Sequence, residues 1–193
     1  MPVVPAVLAL ALGLVLVLVI AVALITYNSV VALYKRAEKA WANVEVALQQ
    51  RHDELPNLVE AVRGVMAFER DVLEEVTRRR ASFSPGDPPP RQAATSDATS
   101  AAIRSLFAVV EGYPQVRSQE NVAALQAEIE RLETLIASRR EFYNDSVYLL
   151  NSTIRQVPAA LFAGFFGWQP REFFEAMPED RERPDVAELA AGG

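Results

Sequence analysis

Residues 3–26 read VVPAVLALALGLVLVLVIAVALIT, without one charged side chain. As a helix this stretch rises about 36 Å, enough to cross a hydrocarbon core of roughly 30 Å with some tilt. Pro5 sits near its start, where a missing N–H costs little. A cleaved signal peptide would need a positive leader, a shorter apolar run and a small-residue cleavage site. No Lys or Arg precedes the run, and it leaves through Leu24-Ile25-Thr26-Tyr27. The stretch therefore reads as a retained anchor over residues 1–26.

The other 167 positions differ in kind. All 19 basic and 25 acidic residues lie from Lys35 onward, and the net charge is -6. An acidic chain lacks the basic face that nucleic acid requires, so no nucleic-acid partner is expected. With no cysteine, disulfides, zinc–thiolate sites and thiol nucleophiles are excluded. Tyr27 and Tyr34 fall near the exit of the span, followed by Lys35, Arg36 and Lys39. The positive-inside rule then places the N-terminus outside and the C-terminal domain in the cytoplasm, as a single-pass protein of the cytoplasmic membrane.

Beyond the span, apolar residues recur at steps of three and four, which is helical spacing. Val30, Tyr34, Ala37, Trp41, Val44 and Leu48 form one seam, with Trp41 expected in the core. No Gly or Pro separates that helix from the anchor, so the two are read as continuous. Arg51-His52-Asp53-Glu54-Leu55-Pro56 is expected to break it, with Asp53 capping a second helix and His52 capping loose carbonyls in the turn. The second seam runs Leu58, Val62, Val65, Phe68, Val72 and Val76. A Pro-rich loop over 84–95 follows. Thr95 or Ser96 then caps a short third helix bearing Ile103, Leu106 and Val110, closed by Gly112 and Pro114. A fourth helix, from near Ser118 to Pro158, carries Val122, Leu125, Ile129, Leu132, Ile136, Tyr143, Val147, Leu150 and Ile154.

No stretch alternates at period two. The expected class is all-α: an N-terminal transmembrane helix continuous with an antiparallel up-down four-helix bundle over 27–176. An intermolecular coiled coil is the competing reading of the same rhythm. Residues 177–193 read as a disordered tail.

Catalytic motifs are not found. A di-iron carboxylate bundle needs two Glu-x-x-His motifs, and the chain has one histidine, His52. No phosphate-binding glycine loop, nucleophile elbow or His-Glu-x-x-His is present. No catalytic residue, cofactor, metal site or small-molecule substrate is therefore expected. The Arg78-Arg79-Arg80 cluster reads as dipole complementarity and solvation at a helix C-terminus, in preference to a phospholipid contact.

Two features remain as candidates. Arg139 occupies a seam position, with Arg140, Asn144 and Asn151 at or beside the same seam, which suggests a buried polar network centred on Arg139 and Asn144 that fixes helix register, with a partner-binding groove as the alternative. The segment 159–176 holds six aromatics, Phe162, Phe165, Phe166, Trp168, Phe173 and Phe174. It reads either as a lid on the bundle end or as a contact with the bilayer, since four antiparallel helices return Pro158 to the membrane side.

Several blocks resemble the LemA family: Tyr27-Asn28-Ser29-Val30-Val31, Ala40-Trp41, the run RHDELPNLVE over 51–60, Phe142-Tyr143-Asn144-Asp145-Ser146-Val147, and Phe166-Gly167-Trp168-Gln169-Pro170-Arg171-Glu172-Phe173-Phe174-Glu175-Ala176. The resemblance implies a bacterial single-span membrane protein with a helical domain, an outside N-terminus and no established enzymatic activity. The sequence departs from the family pattern in the loop at 84–90, at Leu150-Asn151 and at Val157-Pro158. The expected function is a non-enzymatic interaction or scaffold module at the membrane, in one version membrane-shaping. Its expected partners are the lipid bilayer and either further copies of itself or another membrane protein. An accessory subunit of a membrane enzyme such as a protease is the alternative.

Overall fold

A computed structural model describes residues 3–63, 70–117 and 119–176. Among the described residues six helices follow in order: α1 (Val3–Arg63), α2 (Arg70–Ala81), α3 (Pro89–Glu111), α4 (Pro114–Arg117), α5 (Glu120–Arg155) and α6 (Ala159–Phe166). Among the described residues there is no strand, so the all-α expectation holds. The expected disordered tail, and the seam residues Val65 and Phe68, lie outside the described residues.

The chain divides into two compact units. One comprises residues 1–41 with 142–171, and the other residues 42–141 with 172–193. In the first, α1 runs unbroken from the apolar stretch to Trp41. Every side chain from Val3 to Ala21 is exposed, and shielding begins at Val22, Ala23 and Thr26. This is the one helix among the described residues that is long and apolar enough to cross a membrane. Beyond it, Val30, Ala37 and Ala40 are buried, as are Tyr143, Val147, Leu150 and Ile154 of α5. The seam is the expected one, with a correction at Trp41. That ring is half-buried and lies 5.1 Å from the ring of Tyr143, so Tyr143 is the core aromatic here and Trp41 covers it.

In the second unit, residues of α1, α2, α3, α4 and α5 share one apolar core. Leu58, Val62, Val76, Leu106, Val110, Val122, Ile129 and Leu132 are fully enclosed in it.

Three boundary expectations are overturned. The break at Pro56 does not occur, because α1 continues through it to Arg63. A proline in a helix lacks the N–H that would satisfy the carbonyl four residues back, and here that carbonyl belongs to His52. Arg80 of α2 supplies the missing donor, with Nε donating to the His52 carbonyl oxygen at 2.9 Å. His52 and Asp53 are accordingly mid-helix residues and not caps. The Asp53 carboxylate instead accepts from Gln49 Nε2 at 2.9 Å. The His52 ring packs 5.2 Å from that of Phe83. Burial, and then the nearby Arg80 charge, hold its pKa below the ordinary histidine value.

The expected loop over 84–95 is also shorter, because α3 begins at Pro89. Pro89 and Pro90 open the first turn, where their N–H groups would be unpaired in any case and their fixed φ suits the helix. Ser96 is therefore inside α3 and caps nothing.

The Pro56–Arg80 relation is open to a double-mutant test. Arg80→Ala should lower stability by about 1–2 kcal/mol, through loss of a partly buried hydrogen bond. In a Pro56→Ala background the amide of residue 56 can serve His52, and most of that cost should vanish. Equal costs of Arg80→Ala in both backgrounds, measured by chemical denaturation, would show that the two residues are independent.

Candidate functional site

In the first unit the chain leaves α5 at Arg155, forms α6 and returns upward along the helices. The return is fixed by two pairs of hydrogen bonds. Tyr34 Oη accepts from the Gln169 amide at 2.8 Å and donates to the Gln169 carbonyl at 2.5 Å. Asn151 does the same with its side-chain amide: Nδ2 donates to the Arg171 carbonyl and Oδ1 accepts from the Arg171 amide, both at 2.8 Å. The Arg171 guanidinium lies over the Tyr34 ring, 5.8 Å from its centre. Gly167, with φ of 66°, turns the chain out of α6 in the left-handed conformation that glycine adopts without strain.

These anchors hold an aromatic cluster against the end of the apolar stretch. The Phe166 ring is 5.0 Å from Tyr27 and stacks 5.1 Å from Trp168. Trp168 reaches within 6.4 Å of Tyr27, and Phe162 within 6.3 Å of Phe166. Tyr27 directly follows the span on α1, so α6 sits at the level where the apolar stretch ends.

The six aromatics singled out in the sequence are thus dealt to different places. Phe162, Phe166 and Trp168 are half-buried in the cluster, whereas Phe165 projects outward and is 85% exposed. Phe174 belongs to the second unit, fully buried beneath the Arg140 guanidinium, which lies 5.4 Å from the ring centre. Phe173, beside it in sequence, is half-buried. The segment is therefore divided, with Phe174 enclosed and Phe165 facing outward.

The most enclosed polar network among the described residues is built on Arg51. Arg139 is half-buried and makes no hydrogen bond or ion pair among the described residues. Asn144 is half-buried as well, and the first unit contains it while the second contains Arg139. The buried guanidinium is that of Arg51, only 4% exposed. Its Nη1 donates to Glu133 Oε1 at 2.7 Å and to Ser100 Oγ at 2.8 Å, and its Nη2 to Ser96 Oγ at 3.0 Å. Ser100 Oγ in turn donates to the second carboxylate oxygen of Glu133 at 2.6 Å. A buried charge survives only when paired and hydrogen-bonded, and this set meets both conditions.

In the Arg78–Arg80 cluster, Arg78 and Arg79 both pair with Glu75, and Arg80 serves the His52 carbonyl. All three have partners within the protein.

Arg51→Met should destabilise the protein by about 3 kcal/mol, because it strands the Glu133 carboxylate. Adding Glu133→Gln should recover part of that loss. Denaturation midpoints for the two single variants and the pair decide the matter. Additive costs would mean that the ion pair contributes no coupling.

Comparison with known proteins gives a consistent result. The sequence model of the LemA family matches residues 40–187. The chain is 26% identical over 181 residues to the magnetosome protein MamQ of Magnetospirillum gryphiswaldense, covering 80% of this chain and 66% of that relative. Magnetosome proteins MamQ 1 and MamQ 2 of Paramagnetospirillum magneticum are each 24% identical with the same coverage. The chain thus spans just under two thirds of the length of these relatives.

Proposed function

The chain belongs to the LemA family, and on that premise we propose that it is a non-enzymatic, single-pass protein of the cytoplasmic membrane that acts as an interaction or scaffold module. The observation that carries this reading is the absence of a joint between span and packed helices in the first unit. There α1 passes from exposed apolar residues to residues packed with α5 without a turn, glycine or proline between Val22 and Trp41. A tethered enzyme works as well on a flexible linker. An unbroken helix holds the residues beside the bilayer at a set height, which suits a protein whose task is to position others.

The surface of α5 offers a place for such contacts. Phe142, Tyr148 and Leu149 are exposed, and Phe142 and Leu149 lie seven residues apart on one side of the helix. The relatives are named for a cell structure, the magnetosome, and not for a reaction, which agrees with a structural role. A membrane-shaping activity is the specific version of it.

The orientation that goes with this reading has the N-terminus outside and the helical domain in the cytoplasm. Ser84 is exposed in the loop between α2 and α3, and the chain has no native cysteine. Ser84→Cys should resist a membrane-impermeant thiol reagent in intact cells and react after lysis. Labelling before lysis would reverse the topology.

Self-association is tested on the full chain, cross-linked in native membranes and purified through a tag. The expected products are multimers of the chain, or a complex with one stoichiometric membrane protein. Tyr148→Glu with Leu149→Glu should reduce either product several-fold at unchanged helical content. A monomer without a stoichiometric partner, or a pure chain that hydrolyses substrate, would overturn the proposal.

A further inference from the structure

Helix α6 is apolar all round. From Val157 to Trp168 the sequence reads VPAALFAGFFGW, with no charged side chain and no polar one apart from the indole of Trp168. In a water-facing position such a helix would hide one side and show charge or amide on the other. Here Ala159, Phe162, Ala163 and Phe166 are buried or half-buried, and the opposite side is equally apolar. On α6, Leu161 and Phe165 lie one turn apart and so share one face, exposed by 72% and 85%, and Val157, in the turn before the helix, is exposed by 75%. An apolar segment of this length is too short to span a bilayer and fits an interfacial or re-entrant element.

The position of the helix identifies what covers that face. Phe166 and Trp168 pack against Tyr27, the first residue after the span, and shielding of the span itself starts at Val22, Ala23 and Thr26. The exposed stripe therefore continues an apolar surface that already requires lipid. Polar groups bound the segment at both ends: Arg155 and Gln156 are exposed before it, and Gln169 and Arg171 are fixed by hydrogen bonds after it. From this, the geometry points to a second membrane-embedded element. The segment Val157–Trp168 sits in the leaflet through which α1 leaves the bilayer, with Val157, Leu161 and Phe165 among acyl chains and Trp168 with Tyr27 at the headgroup boundary. The inference does not depend on the scaffold reading, because it concerns lipid and not a protein partner.

The test uses the full chain, reconstituted in vesicles of phosphatidylglycerol and phosphatidylcholine brominated on its acyl chains. Gly164 is exposed and a Cβ there meets nothing within 4 Å, so Gly164→Cys can carry a small fluorophore. Leu16→Cys in the span and Ser84→Cys in the loop serve as references. The label at 164 should be quenched by bromolipid nearly as strongly as that at 16, and several-fold more than that at 84. Aqueous iodide should show the reverse order. Leu161→Ser with Phe165→Ser should raise iodide quenching at 164 several-fold while helical content holds. Iodide access at 164 equal to that at 84 would overturn the inference. So would protection from iodide without bromolipid quenching, because the face would then be covered by protein.

Discussion

A guanidinium removed from water must have its charge balanced and its donors matched, and Arg51 meets that demand with groups from two other helices at once. Ser96 and Ser100 lie one turn apart on α3, and Glu133 comes from α5. Directly beside Arg51, the His52 carbonyl takes its hydrogen bond from Arg80 on α2. Two consecutive residues of α1 therefore set the axial position of three helices in the second unit. Apolar seams alone leave such registers loosely specified, because one heptad of Leu and Val resembles the next. Directional polar bonds distinguish them, at the cost of stability that a wholly apolar core would gain.

The helices were legible in the sequence because burial repeats at three and four, a local property of the chain. Val30, Val44, Leu58, Leu106, Ile129 and Val147 all fall where the spacing places them. The polar centre was less legible, for a reason tied to Pro56. Proline correctly signals that the carbonyl of residue 52 loses its partner, and a local reading takes this as a break. The replacement donor lies 28 positions along the chain, and nothing local announces it. Once the helix is assumed to end near residue 51, Arg51 falls in a turn and is passed over. Arg139 attracts notice instead, because it interrupts a seam. An arginine that supplies a buried charge and one that merely borders the core have the same one-dimensional signature.

The aromatic segment shows the same division. Its density of Phe and Trp is plain in composition, yet composition does not separate Phe174, enclosed under Arg140, from Phe165, which faces away from the protein. The separation is made by the backbone, through Gly167 and the bonds to Gln169 and Arg171. Those bonds involve Tyr34 and Asn151, whose partners are 135 and 20 positions distant and so are not announced by any local pattern.

The pairing of Asn151 with the Arg171 backbone works as a clasp. It closes a loop around α6 much as a disulfide would close one, and so removes much of the wandering that a chain of this length would otherwise retain. A sulfur bridge is sensitive to the redox state of its surroundings, whereas an amide clasp is indifferent to it. In a chain without cysteine, the loop keeps its closure in reducing and oxidising surroundings alike. The residues between the two ends are then free to change in size and apolar character, since the closure rests on one side chain and on backbone atoms that every sequence provides.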